Sequence, residues 1–183
     1  CIFKKDKAVT LGYGVKAPEA PKQVMIENAR SFDFQEFSVK PLAEFDITAK
    51  VILKEDYSYD RESEISPTDL ALGWGKMSDE AVIEKLEIEQ SGRWYRYRYQ
   101  SPPIPQLEIQ THSANMHLIP ANGFVEKQIK RVKAGQVIEI KGKLVSVEHK
   151  IDKWTWKSSL TRNDTGGGAC ELIYVEQLQI LEG

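Results

Sequence analysis

Cysteine is nearly absent: the 183 residues hold only Cys1 and Cys170. Two thiols cannot build a disulfide framework, and a chain of this length needs none, because it can bury roughly 70% of its unfolded surface. No apolar run reaches the roughly 18 residues that a membrane-spanning helix requires. Charge of one sign is not in excess either, since 25 basic residues face 27 acidic ones and leave a net charge of −2. Proteins that coat nucleic acid neutralise phosphates with surplus cations, so that class is disfavoured, although a local basic patch is not. No motif indicates a cofactor, a metal or a reaction class.

What the sequence does contain is the composition of a single globular domain, 41% apolar and 28% charged. Residues 1–22 read as a flexible N-terminal tether. Lys4, Lys5, Asp6 and Lys7 are charged there, and Gly12, Gly14, Pro18 and Pro21 interrupt regular structure. Residues 23–183 read as the domain. Cys1 is what a bacterial lipoprotein carries at its first mature position, with lipid on the sulfur; a segment cut just after a signal or anchor would begin in the same way. Both imply a hydrophobic segment removed upstream and favour a cell-envelope location. Cys1 can pair with Cys170, an option that a lipid would remove.

The patterning predicts an α+β fold, mainly antiparallel β, with a small barrel-like sheet and three short helices. Ala43–Lys54 alternates apolar Phe45, Ile47, Ala49, Val51 and Leu53 with polar residues, as a half-buried strand does. Ser66-Pro67-Thr68-Asp69 carries helix-start signals, Ser78 precedes a second short helix and Asn122 caps a third. Leu86–Gln100 reads as a hairpin turning at Ser91-Gly92. In Gln136–His149 the apolar residues shift from even to odd positions near Gly142, the mark of a strand that bends or bulges. Lys153–Ser158 and Glu171–Leu181 supply the last strands. An OB-like barrel is one architecture of this kind.

Two segments concentrate polar groups. Thr111-His112-Ser113-Ala114-Asn115-Met116-His117 holds two imidazoles, but a spacing of five puts them on opposite faces of a strand and about 140° apart on a helix. No local carboxylate completes a metal site, so the segment reads as a loop bonding backbone groups, or as a ligand or catalytic site. Ser158–Glu171 contains Arg162, Asp164 and the triple glycine Gly166–Gly168, whose amides can form an anion-holding concavity. No helix follows it and no Lys-Ser/Thr pair is present, so a long hairpin connection is the plainer reading. Cys170 leads into an apolar strand and reads as a small core residue, with a nucleophile paired to a histidine as the alternative. In Arg93–Tyr99 the tyrosines share one face and Trp94, Arg96 and Arg98 the other. Trp154 and Trp156 also share a face, better suited to core than to a platform.

The strings Ser66–Gly75, His112–Ala121 and Ser158–Glu176 resemble a family of bacterial proteins of unknown function that carry an N-terminal anchor or signal. The resemblance covers roughly residues 40–180 and implies location, not activity. Residue type alone suggests that, if the three segments meet, Trp74, Asn115, His117, Arg162 and Asp164 bind a ligand, with Cys170, His112 and His117 as the catalytic candidates. The expected function is a cell-envelope binding or interaction module, whose partner is another envelope protein or a small ligand. It would touch the membrane only through its N-terminus. A thiol-dependent hydrolase and an OB-like single-strand binder, the latter disfavoured by charge, are the alternatives.

Overall fold

The computed structural model describes residues 7–163 and 170–183. Its centre is strand β3 (Phe37–Asp56), twenty residues long. β1 (Lys22–Met25) and β2 (Phe32–Phe34) pair along it, and β4 (Thr68–Gly73) follows it. A small hairpin, β5 (Glu87–Ser91) and β6 (Trp94–Arg98), stands apart as a second sheet. Then come β7 (Ser113–Pro120), β8 (Val137–His149), β9 (Thr155–Lys157) and β10 (Glu171–Glu182). The helices are short: α1 (Glu80–Ile83), α2 (Gln106–Thr111) and α3 (Gly123–Arg131).

The main sheet is ring-like. β3 pairs with β4, β4 with β7, β7 with β10, β10 with β8, and β8 returns to β3; only the β7–β10 pair is parallel. Taken round the ring in chain order, the strands run first, second, third, fifth, fourth, and α3 lies between the third and fourth. This is an OB-like connectivity. Phe45, Ile47, Leu70, Leu72, Met116, Leu118, Ile140 and Ile173 fill the ring, and Val125, Ile129 and Val132 of the α3 segment pack into the same cluster.

Two further clusters coat the outside. Val145, Val147, Phe37, Val39, Ile119 and Leu172 form one, against which Trp154 and Trp156 pack. Ala71, Ile52, Met77, Ile104 and Ile109 form the other, beneath Tyr95, Tyr97 and Tyr99 of the hairpin. The change of faces in β8 falls between Leu144, inside the ring, and Val145, outside it. A bulge opposite, between Pro41 and Ala43 of β3, accompanies it. Gly142 sits at a second irregularity, where β10 shifts register between Val175 and Gln177. A Cβ there would stand 2.0 Å from the Tyr174 carbonyl oxygen, so β10 can approach only a glycine.

The helix signals of Ser66–Asp69 are overridden. Thr68–Gly73 is β4, fully buried and bonded to β3 on one side and β7 on the other, and two ladders outweigh local propensity. Thr111–His117 is likewise no loop: it closes α2, whose C-cap is His112, and enters β7. Helix α2, behind Pro105, was not expected. Residues 7–21 have no helix or strand, yet Val9 N–H donates to the Ala134 carbonyl (2.8 Å), and the amides of Gly14 and Ala17 bond to Asp79 and Ser78. The segment read as a tether therefore runs along the domain.

Candidate functional site

Asp69 interrupts the apolar run of β4. Leu70 and Leu72 point into the ring, which turns Asp69 and Ala71 to its outer face. The ladder sets Asp69 opposite His117 and Ala71 opposite Asn115. The Asp69 carboxylate is completely buried and takes three donors. Oδ1 accepts from His117 Nδ1 (2.7 Å) and Arg93 Nη1 (2.8 Å), and Oδ2 accepts from Asn115 Nδ2 (3.1 Å). Gln90 Nε2 then donates to Asn115 Oδ1 (2.7 Å). A buried carboxylate is tolerable only with such partners.

Arg93 reaches Asp69 from the hairpin tip. Gly92 and Arg93 both have positive φ, 56° and 71°, as a two-residue turn with the twist of the strands requires. Glycine or asparagine would suit the second position better, so the network holds an arginine in sparsely populated backbone space. Its Nε and Nη2 grip Asp60 bidentately, at 2.7 and 2.9 Å, and its guanidinium lies 3.9 Å from the centre of the Tyr57 ring. The bond from Arg93 holds the Asp60 carboxyl below its ordinary range. Burial opposes the charge on Arg93, but Asp60 and Asp69 outweigh it and raise its pKa.

Above this cluster opens a cleft of about 440 Å³ between the hairpin tip and β9. Asp60, Glu62, Arg93, Trp94, His117, Trp156, Lys157 and Cys170 line it. His117 is 2% exposed, and its ring lies 4.8 Å from that of Trp156. With Nδ1 given to Asp69, Nε2 on the far edge of the ring is the polar atom His117 offers the cleft. The His112–His117 and Ser158–Glu171 segments meet here through the β7–β10 ladder, which sets Leu172 beside His117.

Comparison with family models, curated proteins and solved structures finds no match. Trp74 is buried in the ring cluster, and its amide donates to the His112 carbonyl (3.0 Å). His112 Nδ1 lies 3.0 Å from the Glu108 carbonyl, at the end of α2. The ladder puts that end of β4–β7, Gly73 opposite Ser113, four residues from Asp69 opposite His117. At the usual strand rise this is about 13 Å away. Arg162 pairs with buried Glu171 (2.9 Å) and lies over Phe45, so it is not part of the cleft wall. Asp164, Gly166–Gly168 and Cys1 lie outside the described residues. No cluster of metal-ligating side chains occurs among the described residues. Asp69, Asp60, Glu62, Trp156 and Lys157 were not among the site candidates. Asp69 had a readable signal, an acid inside the apolar run Asp69-Leu70-Ala71-Leu72, but the helix reading hid it.

Cys170 lines the cleft, but among the described residues no hydrogen bond joins it to a histidine. Burial, and then the charges of Glu171 and Asp69, push its thiol from 9.0 up to about 12. At pH 8 Cys170 should therefore be about a thousandfold less ionised in the folded chain than in the unfolded one and react correspondingly slowly with iodoacetamide, read at its own peptide apart from that of Cys1. Stability should also depend on pH. Below pH 9 folded and unfolded thiols are both protonated; above it the unfolded chain releases a proton that the folded chain keeps, so stability falls as pH rises from 9.0 to about 12. Urea melts of the wild type and Cys170→Ala across this window check the prediction, with the variant showing the shallower decline.

Proposed function

We propose that the chain is a binding module of the cell envelope, and that the cleft above Asp69 is its ligand site. One observation carries this reading: a rigid Asp69–Arg93–His117 cluster underlies an open cleft flanked by Trp94 and Trp156. The volume falls in the range of small-ligand sites, and the polar groups are fixed in place before any ligand arrives. In OB-like sheets, the face of the second and third strands and the adjoining loops bind ligands, and β4, β7 and the loops after β3 and β8 are the counterparts here. The envelope setting rests on the resemblance of the 66–75, 112–121 and 158–176 segments to anchored or signal-bearing bacterial proteins.

A thiol hydrolase is the second reading, because Cys170 shares the cleft with a histidine backed by an aspartate. A protonated thiol beside two carboxylates works against it. The test is an indole N–H NMR titration with a panel of neutral oligosaccharides, an oligolysine and an oligothymidylate, alongside an acyl-ester turnover assay. At least one ligand should move the Trp94 and Trp156 signals while that of buried Trp74 stays in place. Unmoved signals across the panel, or ester turnover that disappears in Cys170→Ser, would overturn the binding-module reading.

A further inference from the structure

Resting on that reading, we infer that the cleft accepts a neutral sugar chain. The charges select for it. Three carboxylates, Asp60, Glu62 and Asp69, stand at the cleft and its floor against two cations, Arg93 and Lys157. Arg93 is already committed to Asp60 through two bonds and to Asp69 through a third. An incoming phosphate would meet a surplus of acid, and of the cleft's two cations only Lys157 has no ion pair among the described residues. A single-strand groove needs the opposite balance. Nor does the Trp94 face of the hairpin carry a surplus of cations: Arg96 and Arg98 stand opposite Glu89 and Glu87, and Arg98 lies 3.4 and 3.8 Å from Glu87 and Glu89.

A cationic ligand fits no better. Its natural seat would be an aromatic face, but the Arg93 guanidinium lies over Tyr57 and 6.0 Å from the centre of the Trp156 ring. A fixed positive charge thus already occupies the position that a second cation would take. What remains are two indoles with accessible surface and polar groups of both kinds. Trp94 is 44% exposed at the start of β6, and Trp156 is half-buried against His117 and Trp154. A pyranose ring offers an apolar C–H face to an indole and hydroxyls around its rim. Those hydroxyls can donate to Glu62 and to His117 Nε2, and accept from Lys157. His117 is the specific element: a side chain 3% exposed, oriented by Asp69, with Nε2 unpartnered among the described residues at the cleft.

The wild-type protein and Trp94→Ala are titrated with cellotetraose, chitotetraose and maltotetraose, followed by calorimetry and indole N–H NMR. An oligothymidylate and an oligolysine are run in parallel at about 20 and about 200 mM NaCl. At least one tetrasaccharide should shift Trp94 and Trp156 together, with affinity nearly independent of salt. Trp94→Ala, an exposed substitution, should weaken binding about tenfold while leaving the thermal midpoint in place. Binding of the oligothymidylate or oligolysine at the same signals, with none of the sugars, would overturn the sugar assignment and leave the binding site standing. An unweakened Trp94→Ala variant would overturn the stacking. Silence from every probe would remove the site itself.

Discussion

Asp69→Ala should lower folding stability by about 3–5 kcal/mol, the largest effect of any single polar substitution in this chain. The carboxylate is completely buried and holds three donors from two parts of the fold: His117 and Asn115 on β7, and Arg93 at the hairpin tip. Its removal leaves Arg93 Nη1 and the imidazole without their acceptor and the Asn115 amide with only the Arg93 carbonyl, in a place that water reaches poorly. Breaking a buried pair at one end is far more costly than replacing both ends. Asp69→Ala/Arg93→Ala should therefore be more stable than the sum of the single variants predicts. Urea unfolding read by tryptophan fluorescence measures all three. A single-variant loss under about 1 kcal/mol would mean that the cluster is hydrated and loosely held.

Trp74→Ala should be nearly as damaging, by about 3–5 kcal/mol, but for a different reason. Trp74 is 1% exposed and packs in the ring cluster at the end of β4. The chain leaves the sheet there: Gly75 N–H donates to the Ala17 carbonyl, and the Ser78 hydroxyl accepts from the amides of Lys16 and Ala17. Truncation empties the core and loosens the anchor of the N-terminal segment together. The variant should melt early yet, below its transition, keep the Trp94 and Trp156 signals and their ligand response. Loss of that response in folded Trp74→Ala would tie Trp74 to the cleft after all.

The fold was more legible than the site. The strands around Phe45–Val51 and Ile138–Val147 could be read because alternation there is set by burial on one face, and Asn122 announced α3 by a short-range cap. β4 could not, because Ser66-Pro67-Thr68-Asp69 obeys local rules that two flanking strands overrule. The His112–His117 and Ser158–Glu171 segments stood out by their polar groups, and the β7–β10 register brings them together. Asp69 and Arg93 were not placed together, since 24 residues and two elements separate them, and register decides that contact. Arg162 and Trp74 looked functional by type and are packed by context, one against Glu171 and Phe45, the other in the ring core.

The position of β10 has a kinetic consequence. It is the last of the described strands, yet it lies between β7 and β8 and joins β7 in parallel. Until it arrives, β3, β4, β7 and β8 can assemble only as an open sheet with two bare edges. Parallel pairing across some fifty residues is a slow, late event in folding. Synthesis must pass Glu182 before those edges are closed, and the wall that brings Cys170 to His117 forms at the same moment. The domain therefore stays exposed to edge-to-edge association until β10 docks, and it acquires its cleft only in the step that ends that exposure.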